Sequence, residues 1–93
     1  MNAFSDLVIK ASSLCQQMIN ASDDNDFKSS MEDIKSSIEY SSPEVINFHL
    51  DRMTECVNEL VKGKTKDTIT ESEIAVLVVF TKKTPEQIRK HFP

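Results

Sequence analysis

The side chains that could make a cysteine–histidine catalytic pair are Cys15, Cys56, His49 and His91. A cysteine nucleophile needs a base within hydrogen-bond reach. On one helix, Cys56 and His49 are two turns apart, roughly 10 Å along the backbone, which is too far for direct activation. A Cys15–His49 pair would depend on packing between elements. The two cysteines show no CxxC or Cys/His spacing. They read as small buried hydrophobes in a reduced compartment. The expectation is no catalytic residue and no enzyme.

Metal and cofactor chemistry find no better support. The run Asp23-Asp24-Asn25-Asp26 offers carboxylates but lacks the glycine and closing glutamate of an EF-hand loop. It is better suited to capping a helix. The single glycine, Gly63, rules out glycine-rich phosphate cradles. Glu71 and Glu73 read as helix-start residues rather than an acid–base pair. No metal site and no cofactor are expected.

The remaining chemistry is that of surfaces. Residues 1–47 hold three lysines against eight acids, a charge of −5, and residues 48–93 hold eight bases against seven acids, +1. The basic excess is greatest at the end, in Lys82, Lys83, Arg89 and Lys90. An acidic body with a basic tail suggests a charged partner. No apolar run reaches the ~18 residues of a membrane span. Asp6 interrupts any N-terminal targeting signal. A cytoplasmic protein with no membrane contact is expected.

The elements that must carry these residues are helical. In a chain of 93 residues, three prolines and one glycine are too few turn formers for a sandwich or barrel. Phe4, Leu7, Val8, Ala11, Leu14, Cys15 and Met18 mark one face of a helix over 4–20, with Ile9 and Ile19 off that stripe. Phe27, Met31, Ile34 and Ile38 give a second helix, 24–40, a stripe thin enough to predict mobility or completion in a homodimer. Ser42-Pro43 opens a third helix, 43–62, closed by Gly63. Thr70 and Glu73 form a capping box, with Ile69 and Ile74 as a hydrophobic staple. These start signals make Ile74–Phe80 a helix over 71–81, despite its β-branched content. Being apolar all round, that helix is expected at the centre of the core. Thr84, Pro85 and Gln87 start a last helix, 85–92, pinned by Ile88 and Phe92. The reading is a single all-α domain of four to five helices in a bundle-like array.

Short stretches resemble parts of known families. Residues 69–77 are similar to the opening of a LuxR-type DNA-binding domain, and residues 64–78 to the second loop and third helix of a histone fold. Each resemblance is short and reduces to helix-start residues, so neither assigns a family.

The function expected from these residues is that of a small intracellular regulator or inhibitor that binds another protein. Candidate contact residues are the apolar Ile9, Ile19, Tyr40 and Phe48, with the basic Lys82, Lys83, Arg89 and Lys90 facing an acidic surface. Two alternatives stand beside it. One is a helix-turn-helix-like DNA-binding regulator that uses the basic terminal helix as its reading element. The other is an acidic inhibitor that mimics DNA.

Overall fold

The computed structural model describes residues 3–93, with side chains described from Asp6 onward. The side chain of Phe4, assigned above to the first stripe, lies outside the described residues. Five α-helices follow in order: α1 (Ala3–Ala21), α2 (Asn25–Glu39), α3 (Ile46–Val61), α4 (Glu71–Thr81) and α5 (Pro85–Lys90). Among the described residues there is no strand.

The start signals operate as their chemistry demands. Asp24 caps α2, its Oδ1 accepting from the Phe27 amide at 2.8 Å. At α4, Thr70 Oγ1 accepts from the Glu73 amide at 3.1 Å, and Glu73 Oε1 accepts from the Thr70 amide at 2.8 Å. The staple residues Ile69 and Ile74 are both buried. At α5 the Thr84–Gln87 pair repeats the reciprocal box. Ser42 and Pro43 start something shorter than expected. Pro43–Val45 is a 3-10 turn, and the α-helix begins only at Ile46. Gly63 closes α3 at φ 75°, a conformation glycine reaches without steric cost.

The core differs from the sequence reading in three ways. First, its centre is α1, which packs against α2, α3, α4 and the 3-10 turn. In α4, Ile74, Val76 and Leu77 are buried, but Val78, Val79 and Phe80 are only half-covered. An apolar periphery therefore does not put a helix at the centre; how much of that periphery its neighbours cover does. Second, Ile19 is 9% exposed and belongs to the core. Because α1 is flanked on both sides, its buried face is wider than a single stripe. Third, the thin stripe of α2 is fully buried within the chain. Phe27, Met31, Ile34 and Ile38 are all buried between α1 and α3.

One tie ran below the resolution of sequence patterns. Ser72 Oγ accepts from the Asp23 amide at 2.9 Å and donates to the Ala21 carbonyl at 3.2 Å. This pins the start of α4 to the α1–α2 turn, so α4 runs back along α1. At 11 residues α4 spans about 16 Å, and α1, at 19 residues, about 28 Å. The first turns of α1 therefore project beyond the end of α4.

Candidate interaction surface

That projection shapes the surface. The large hydrophobics that stand exposed among the described residues are Leu7, Ile9, Tyr40, Val45 and Phe48. They come from two stretches, and the fold brings those stretches together. The N-terminal half of α1 packs against the 3-10 turn, and Ser12 Oγ reaches Glu39 Oε1 at 3.5 Å. Tyr40, Val45 and Phe48 thus cluster at the α2–α3 corner at this end of the molecule, whereas Leu7 and Ile9, two positions apart on α1, face different sides of that helix. Leu7 points in the stripe direction yet is 46% exposed, because α4 stops short of it. Sequence reasoning missed Leu7 and Val45 as surface residues, since nothing local along the chain marks them.

The α2–α3 corner of this end is built around His49. Its Nε2 lies 3.0 Å from Ser41 Oγ, which fastens the corner to α3. Tyr40 and Phe48, each one residue from that bond, are thereby held at the same corner, 90% and 60% exposed. The Arg52 guanidinium lies 5.9 Å from the Phe48 ring centroid, close enough for a cation–π contact. His49 packs edge-on against the same ring.

His49 is buried, and its Nδ1 has no hydrogen-bond partner. Burial, with the Arg52 charge added, holds the imidazole below its ordinary 6.5. As pH falls, the unfolded chain therefore takes up the proton first. Stability present above about pH 6.5 is lost as pH drops through the folded value. The slope cannot exceed one proton, about 1.4 kcal/mol per pH unit. Chemical denaturation of the native chain and of His49→Gln, from about pH 7 to about pH 5, checks this. The native chain should lose stability faster over that range. Parallel profiles would mean that His49 is not the group responsible.

The basic residues divide. Lys82, Lys83 and Lys90 are exposed, with Lys83 Nζ 3.3 Å from His91 Nε2. Arg89 is paired with Glu71. Lys82 ends α4 in the left-handed conformation, φ 63°. There it lines a groove of about 440 Å³ with Ile9, Lys10, Ser13, Leu14 and Gln17. The structure therefore brings Ile9 and Lys82 together, although 73 positions separate them in the chain, counted from 9 to 82. Arg89 and Lys90 lie on α5, which Ile88 anchors in the core.

Neither thiol is activated. Cys15 is fully buried with its Sγ 3.9 Å from Met53 Sδ, and burial pushes its pKa up to about 11 against the opposing pull of Lys35. Cys56 is half-buried and is also pushed up, chiefly by burial. It lines a groove of about 280 Å³ between α2 and α3 with Asp24, Asp26 and Glu59. His49 is committed to Ser41, not to either sulfur. Among the described residues, no group of three or more metal-ligating side chains is gathered, and no helix is long and apolar enough to cross a membrane. No family model, curated protein or solved structure matches this chain.

Proposed function

We propose that this is a small regulatory or inhibitory protein that acts by binding another protein and performs no catalysis of its own. The observation that carries the reading is the gathering of exposed Tyr40, Val45 and Phe48 at the corner that Ser41 and His49 fasten. A contiguous exposed apolar patch on a small domain marks an interaction site more often than singly scattered hydrophobics do. The composition of the corner supports the same reading. Tyrosine, other aromatics and arginine are the residues most enriched at energetic centres of interfaces, and here Tyr40, Phe48 and Arg52 lie together. Two free cysteines fit a reducing compartment, which supports a cytoplasmic location.

The helix-turn-helix alternative draws less from the geometry. A reading helix must present its side chains to a groove, yet α5 has six residues, turns Ile88 into the core and has Arg89 engaged with Glu71. DNA mimicry loses Asp24 to helix capping. A homodimer through the apolar end is the remaining occupant to consider, and light scattering of the purified chain reads it directly.

The test is capture of partners from a lysate of the source organism after nuclease treatment, with the native chain and with a Tyr40→Ser/Phe48→Ser variant as baits. Both residues are exposed, so circular dichroism of the variant should match the native chain. A stoichiometric protein should be retained by the native chain and its retention should fall about tenfold or more with the variant. Nucleic acid recovered before nuclease, with every protein lost after it, would move the assignment to the DNA-binding reading.

A further inference from the structure

Ile9 stands 52% exposed on the outer face of α1, between two grooves. On one side the wall is Lys82, at the end of α4, with Leu14 forming an apolar floor and Lys10 at the rim. On the other side the wall is α2, through Lys35 and Glu39. Three lysines therefore flank one exposed isoleucine. The groove toward α4 is lined by no carboxylate at all, in a chain whose net charge is −4. The single acid across both grooves, Glu39, is met by Ser12. Lys35 is held in place, its Nζ donating to Gln16 Oε1 at 2.9 Å.

We infer that this face docks an acidic amphipathic helix of a partner protein, with an apolar side chain seated over Ile9 and Leu14 and carboxylates set against Lys10 and Lys82. The inference rests on the protein-binding reading above and names the chemistry of the segment recognised. Three features select this occupant. The lysines favour negative charge, and the apolar floor favours a charged segment that also carries apolar side chains. The recognition mode then follows by elimination. There is no sheet edge among the described residues to accept a strand, and no aromatic lines the groove toward α4 as a proline-rich ligand would need. What remains is a helix laid in a groove, read by apolar residues three and four apart. A polyanion such as DNA would use the lysines but leave Ile9 and Leu14 without a partner.

The experiment uses the full-length, isotope-labelled chain and a synthetic helical peptide of about 16 residues, leucines on one face and glutamates on the other. Amide chemical shifts should move saturably around Ile9, Ser13, Gln17 and Lys82. The same peptide with lysines in place of glutamates should not bind. Ile9→Ser and a Lys10→Gln/Lys82→Asn variant should each weaken the acidic peptide about tenfold. Asparagine is chosen at Lys82 because it tolerates the left-handed conformation there. Absence of saturable shifts overturns the inference. Shifts confined to Tyr40 and Phe48 also overturn it, while leaving the protein-binding reading intact. Binding that survives Ile9→Ser, is lost with the lysines and is competed by duplex DNA would assign the face to a polyanion instead.

Discussion

A Val76→Asp variant is expected to lose the cooperative fold at pH 7. Val76 is fully buried on α4, whose most extensive packing is against α1. A carboxylate there has no cation to pair with in an apolar cluster of Ile74, Leu77 and the α1 stripe. Desolvating an unpaired charge, or protonating it to avoid that cost, amounts to several kcal/mol. A domain of this size has about 5–15 kcal/mol in hand, and a short chain lies toward the lower end. The expected result is loss of helical circular dichroism and of a sigmoidal melt. Ala75→Asp, at the half-exposed neighbouring position, should retain both. The contrast also tests the conformation of the segment. Val76 and Leu77 are adjacent and both buried, with Glu73 and Ile74 one turn earlier, a pattern only a helix produces. Tolerance at Val76 with sensitivity at Ala75 would show that α4 is misplaced.

Ile34→Ala should destabilise the chain by about 2–5 kcal/mol, as removal of a large buried aliphatic group leaves a cavity that the surroundings fill only in part. Ile34 is 1% exposed at the middle of α2, packed between α1 and α3. The loss should appear as a lower urea midpoint with an unchanged slope. Ile9→Ala, at an exposed position, should stay within about 0.5 kcal/mol of the native chain. Hydrogen exchange in the free chain should protect the α2 amides to an extent comparable with α3. A cost under about 1 kcal/mol at Ile34, or rapid exchange across α2, would show that α2 needs a partner to hold it.

The contrast between α2 and α4 marks where pattern reading stops. In α2 four apolar residues looked insufficient, yet each is fully used because helices lie on both sides of that narrow stripe. In α4 the whole run Ile74–Phe80 is apolar, yet Ala75, Val78, Val79 and Phe80 remain partly uncovered, because α1, α3 and α5 together cover only part of its circumference. The hydrophobicity of a stripe measures what a helix can bury. What it does bury is set by its neighbours.

The candidate surface was legible to the same extent. Tyr40, Phe48, Ile9 and the terminal lysines were identifiable as off-stripe or charged residues and are exposed in the fold. Ile19 was not, because a helix packed on two sides buries beyond its stripe. Arg89 was identifiable as basic but not as the partner of Glu71.

By itself the sequence determined the local structure: four to five helices, both capping boxes, the staple, the Gly63 stop and an all-α class. Those signals act within four residues along the chain, through backbone hydrogen bonds and side-chain spacing. Only the tertiary structure decided that α1 is central, that Leu7 overhangs α4, that Ser41 and His49 lock a corner, and that Ile9 and Lys82 share a groove. Each of these depends on how far one helix reaches along another, a relation between segments remote in the chain that no local pattern encodes.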